Sequence, residues 1–221
     1  MFIKKEISDI QHIKEEVFNA ITHGIGFFLS ILAFIFLLSA SVKYGSVKHI
    51  VSSSIYASTL LLLYINSTLY HSITNLTAKE VFRRLDHISI YFLIAGTSLP
   101  VALIVLQGAL SWIILSLEIG LCLIGTVFKA VFGAKLAKIS TAFYILMGWI
   151  VIIAIKPIFS ALGFAGVKWI FFGGVFYTFG VVFFATDQKF LFHHAIWHIF
   201  VLMGSICHFF FVYNYIIPFQ V

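Results

Sequence analysis

Seven apolar stretches, at roughly 22–41, 51–71, 87–106, 111–130, 139–155, 167–185 and 193–214, follow one another with short polar links between them. Each is close to the ~20 residues that a helix needs to cross a bilayer. A backbone in hydrocarbon must satisfy its own polar groups, so runs of this kind form helices. The composition agrees. The chain is 62% hydrophobic and 10% charged, whereas a soluble domain is about half apolar and about a quarter charged. A soluble enzyme is excluded. The expected class is an all-α integral membrane protein: one domain, 1–221, forming a seven-transmembrane helix bundle in the cell membrane. Short links predict antiparallel neighbours. Pro100 falls inside the third stretch and is expected to kink it; Pro157 is expected in a loop.

Residues 1–19 read differently. They are charged and lack the apolar core of a cleavable signal. Ile7, Ile10, Ile13 and Val17 recur at helical spacing among Lys and Glu. This predicts a short amphipathic helix lying on the membrane surface ahead of the first span.

The net charge of +6 invites a nucleic-acid partner, but the distribution of the charge argues for membrane topology. With the N-terminus inside, Lys4, Lys5, Lys14, Lys79, Arg83, Arg84, Lys129, Lys135, Lys138 and Lys189 are cytosolic. Lys43, Lys48, Lys156 and Lys168 are external. Basic residues favour the cytosolic side, so the N-terminus is expected in the cytosol and the C-terminus outside. The expected partners are membrane lipids, with no nucleic acid. Cys122 and Cys207 both lie in apolar stretches and read as small buried hydrophobes rather than a disulfide.

That topology brings scattered polar residues to one depth. His71 ends the second stretch, Asp86 begins the third, and His194 and His198 begin the seventh, all on the inner side. Ionisable groups at such positions are costly and mark function by default. His194 and His198 are i and i+4 and share a helix face. With His71 they make three imidazoles, a set zinc uses when it keeps a fourth position open for catalysis. Asp86 is placed to act as general base or as a ligand, and Ser67, one turn before His71, to hydrogen-bond water or a substrate carbonyl. Packing roles stand beside these. Ser67 could bond to its own helix, and Asp86 could pair with Arg83 or cap the third helix.

Other polar residues fall near this group. Glu16, Asn19, Thr22 and His23 cluster at the start of the first span, with Asn19 and His23 again i and i+4. They are expected to support the metal ligands, line the cavity, or serve packing. Ser205 and His208 continue the face of His194 and His198. His208 is ten residues beyond His198, about 15 Å along a helix, too far to bind the same ion. His193 is expected at the interface. Arg83 and Arg84 are expected to contact lipid headgroups or to anchor the helix, and Asp187 and Lys189 to be solvated.

The segments "EEVFNAITHGIG", "STLYHS", "RRLDHISIYFLIAGTSLP" and "HHAIWHIFVLMGSICHFFF", in this order over nearly the whole chain, resemble the hemolysin III branch of the progestin and adipoQ receptor family. The resemblance implies a seven-helix protein with a cytosolic N-terminus, in bacteria a protein of the inner membrane. It implies zinc held near the cytosolic face by His71, His194 and His198, with Asp86 and Ser67 at the family's Asp and Ser positions. The family's kinship with alkaline ceramidases implies hydrolysis of a lipid amide or ester, whereas the branch name implies pore formation and cytolysis. A third reading is a lipid-state sensor in which zinc is structural. No ring of charges marks a water-filled channel, and the residues themselves favour hydrolysis.

Overall fold

A computed structural model of the chain describes residues 2–133 and 135–220, with side chains from residue 11 onward. The described residues are helical, with no strand among them. In chain order the helices are α1 (Phe2–Tyr44), α2 (Val47–Ser72), α3 (Leu76–Pro100), α4 (Gly108–Phe132), α5 (Ala137–Gly148), α6 (Ile155–Phe184) and α7 (His193–Phe211). Among the described residues, six helical stretches are long and apolar enough to cross a membrane. The expected fifth and sixth spans fall together in one of them, which runs from Ala137 to Phe184.

That stretch corrects the sequence reading between the two spans. Residues 156–166 were expected as a loop, yet α6 starts at Ile155 after a 3-10 segment, Ile150–Ala154. Pro157 therefore sits in the first turn of a helix, where its missing N–H costs nothing. The real interruption is Gly163, whose backbone adopts φ 62° and ψ −175°, a conformation a side chain disfavours.

The N-terminal segment is corrected as well. No break separates residues 2–19 from the first span, because α1 runs on as one helix of 43 residues. The side chains of Ile7 and Ile10 lie outside the described residues, while Ile13 and Val17 are exposed. Pro100 is the last residue of α3, and the chain continues as a π-helical turn over Val101–Val105. A proline that cannot donate to the preceding turn is a common cause of such a change in winding.

Burial is inverted relative to a soluble protein. Phe28, Phe164, Phe171 and Phe179 face outward, while Ser41, Ser52, Ser53 and Ser67 are buried. Lipid is as apolar as leucine, so helices associate through close packing of small residues and internal hydrogen bonds. Gly125 of α4 is one such contact: a Cβ there would lie 2.3 Å from the ring of Tyr91 on α3. Two polar ties fix the ends. Asn75 caps α3 by accepting from Ala78 N at 3.0 Å. His49 accepts from Ser46 N through Nδ1 and donates from Nε2 to the carbonyls of Ile216 and Phe219. The start of α2 is thereby pinned to the chain just beyond α7. The other end of the bundle, where α7 begins, holds the site.

Candidate metal centre

Two helix ends and the flank of a third helix meet at this site: the last turn of α2 with His71, the first two turns of α7 with His194 and His198, and residues 15–23 of α1. One ring nitrogen from each of the three histidines lies within 4.8 Å of the others. The rings form a compact cluster, with centroids 5.1 Å apart for His71–His194 and His71–His198, and 4.7 Å for His194–His198. His71 and His198 are buried, and His194 is half-buried.

Each Nδ1 is already engaged by an oxygen. His194 Nδ1 donates to Asp187 Oδ2 at 2.8 Å. His198 Nδ1 faces the Asn19 carbonyl at 3.2 Å and Thr22 Oγ1 at 3.1 Å. His71 Nδ1 lies 3.4 Å from Glu16 Oε2, and Glu16 is held in turn by Lys79, which also donates to the Tyr70 carbonyl at 2.9 Å. A ring that donates from Nδ1 keeps its lone pair on Nε2. His71 Nε2 is buried with no partner among the described residues. Metal-ligating histidines are oriented in just this way, by an oxygen on the far nitrogen.

The cluster therefore fits a metal by the chemistry of its donors. Two nitrogens on a tetrahedral zinc ion are about 3.4 Å apart, given Zn–N of 2.0–2.1 Å. The ring nitrogens would need to close by up to about 1.4 Å from their widest spacing of 4.8 Å. Asp187 is the residue the sequence reading missed: expected as a solvated charge, it grips a cluster histidine. Its only signal was a carboxylate seven residues ahead of His194, across a turn whose path the sequence does not show. Asp187→Asn is expected to weaken zinc affinity about 10- to 100-fold without unfolding the protein. A chelator competition titration reads this, and unchanged affinity would remove Asp187 from the site.

The neighbouring residues sort by their contacts. Ser67 is buried, and its hydroxyl lies 2.6 Å from His23 Nδ1. It is spent on another helix, not on its own backbone. His23 stacks on His198 with centroids 3.5 Å apart and 15° between planes, and its Nε2 has no partner among the described residues. Asn19 contributes its carbonyl, as above. Asp86 is buried on α3, three turns past the cap. Neither packing role suits it, since Asn75 caps the helix and Arg83 pairs with Glu80. Arg84 also binds Glu80 and donates to the Ala130 carbonyl, so both arginines are tied to protein, though each stays partly exposed. Ser205 sits between the hydroxyls of Tyr64 and Tyr177, at 2.8 and 2.9 Å. His208 Nε2 faces the Ile170 carbonyl at 3.4 Å. Neither Ser205 nor His208 belongs to the three-histidine cluster.

A cavity of about 140 Å³ opens beside the cluster. Asp86, His87 and His194 line one end, and Val101 and Phe211 the other. From Asp86 to Val101 is 15 residues of helix, about 22 Å. The walls are mostly apolar, with Ile90, Leu93, Trp197 and Val201 among them. It is a long, narrow slot with Asp86, His87 and His194 at one end and His208 toward the other.

A multi-pass helical membrane protein with a three-histidine cluster buried at one end of its bundle is the class these features define. The family model described as "Haemolysin-III related" matches residues 11–209, and the chain belongs to that family. It is 47% identical over 203 residues to "Hemolysin-3 homolog" of Bacillus subtilis (strain 168), covering 92% of this chain and 95% of the relative. It is 45% identical over 208 residues to "Hemolysin-3" of Bacillus cereus, covering 94% of each. A more distant relative is "Monocyte to macrophage differentiation factor" of Homo sapiens, 28% identical over 175 residues, 75% of this chain and 71% of the relative. This last match agrees with the wider receptor family seen in the motifs. No solved structure matches the chain.

Proposed function

We propose that this chain is a zinc-dependent hydrolase cleaving an amide or ester of a lipid at the cytosolic leaflet. One observation carries the reading: three imidazoles with engaged Nδ1 atoms face one another, and one of them, His194, lines a slot about 22 Å long beside Asp86 and His87. A slot of that shape takes an acyl chain along its length and leaves the scissile carbonyl at the cluster.

The topology proposed is seven crossings with the N-terminus inside. The stretch 137–184 has 48 residues, about 72 Å as a straight helix and more than twice the ~30 Å of hydrocarbon. We read it as two crossings separated near Gly163. The ten-to-four excess of Lys and Arg supports an orientation with the histidine end in the cytosol.

His71, His194 and His198 would hold the zinc. When bound, the ion supplies Lewis acidity and lowers the pKa of water at its open position. Asp86, at the same end of the slot as His194, accepts the proton of the attacking water and returns it to the leaving nitrogen or oxygen. Ser67, fixed by His23, keeps a lone pair to orient water. Leu93, Trp197 and Val201 exclude bulk water from the chain's path. The test is lipid extraction from membranes expressing wild type or His194→Ala. Free fatty acid should accumulate with wild type and fall to background in the variant; identical lipid profiles across lipid classes would sink the reading.

The printed names of the two Bacillus relatives favour a second reading, pore formation. Liposomes loaded with dye distinguish it: leakage at low protein loading, without lipid breakdown, would replace the hydrolase.

A further inference from the structure

We propose that Glu118 is a proton-binding site inside the membrane, reached along a water-bearing seam between α3, α4 and α5. This seam runs beside the lipid slot and shares Ser98 and Tyr144 with it. Glu118, Cys122, Gly125 and Lys129 are spaced four, three and four residues apart on α4, and all are buried. They form one face, about 16 Å long, that ends at Lys129 near the histidine end of the bundle.

Glu118 is 1% exposed. Ser98 donates to its Oε1 at 3.1 Å, while Oε2 has no partner among the described residues. From α3 it faces Ser98, and on its own helix Cys122 follows one turn on. The π-helical turn and the 3-10 segment that pack against α4 carry no titratable side chain. Among the described residues no cation forms an ion pair with it. An unpaired carboxylate in hydrocarbon is costly, and a bound proton removes that charge.

The rest of the seam carries the same signature. Tyr91 OH, Thr126 Oγ1 and Ser140 Oγ are buried and have no partner among the described residues. Tyr91 lies across Gly125, and its ring centroid is 4.5 Å from that of Tyr144. Tyr144 donates to the His87 carbonyl at 2.9 Å, which brings the seam to the level of Asp86. Lys129 is 2% exposed. Native proteins leave few buried polar atoms unpaired, and a polar row like this one is where ordered water resides. Glu118, Cys122, Tyr91 and Lys129 do not line the slot, whereas Ser98 and Tyr144 border both. Water and protons thus have a route along α4 beside the slot.

The test is infrared difference spectroscopy of the full chain in liposomes, wild type minus Glu118→Gln. The carbonyl band of a protonated carboxylic acid should be present in wild type and lost in the variant; the contribution of Asp86 cancels. In D2O the band should shift as the proton exchanges, and Tyr91→Phe should slow that shift. Ser98→Ala, which removes one hydrogen bond and keeps the carboxyl, should move the band without abolishing it. A wild-type spectrum with no such band, or a band that never shifts in D2O, overturns the proposal. Neither outcome depends on zinc or on lipid hydrolysis, so the two readings stand or fall separately.

Discussion

Replacing His194 and His198 together by alanine is expected to abolish metal binding. Wild-type protein purified in detergent should carry about one zinc per chain by mass spectrometry, and the double variant none. Three nitrogens hold catalytic zinc, and a single imidazole cannot. His198 also stacks on His23, so its truncation loosens α1 against α7. The control is His194→Gln, which nearly keeps the volume of a half-buried side chain and removes the imidazole. A metal-free wild type would reduce the cluster to helix-packing polar groups and turn attention to pore formation.

The second large effect is expected at Asp86. Asp86→Asn keeps size and hydrogen bonding but removes the proton acceptor. Lipid hydrolysis should fall by about 10²- to 10⁴-fold, the usual contribution of a positioned general base, while zinc content stays near one per chain. Measuring both on the same preparation separates two roles. Activity and metal lost together would make Asp86 a ligand. Full activity with full metal would return it to packing.

The histidine cluster was legible because topology and spacing act together. The order of the apolar stretches puts the end of α2 beside the start of α7, and i, i+4 spacing sets a helix face; His71, His194 and His198 need nothing more to converge. Asp86 was legible for the same reason. The partners that orient the rings were less so. Asp187 reaches His194 through the turn at 185–192, whose path no periodicity encodes. Glu16 and Asn19 were noticed as a group, but which histidine each serves depends on the rotation of α1 against α2 and α7. The breaks were misread where hydropathy is a poor guide. Lys156 and Pro157 look like a loop by polarity, yet helix continues through them because Pro fits a first turn and the backbone yields at Gly163 instead. The seam around Glu118 was invisible because its members are single polar residues in apolar runs, and their shared face appears only when α3, α4 and α5 are packed.

The unbroken α1 gives the molecule a mechanical property. Its 43 residues span about 65 Å, roughly twice the hydrocarbon thickness. The turns that carry Glu15, Glu16, Asn19, Thr22 and His23 touch His71, His198, Ser67 and, through Glu15 Oε1, the backbone N–H of Phe192. Whatever part of the rod stands clear of the bilayer is thus a stiff lever with its fulcrum at the histidines. A partner or a fused domain that tilts or twists this lever moves oxygens that aim the imidazoles, without entering the membrane.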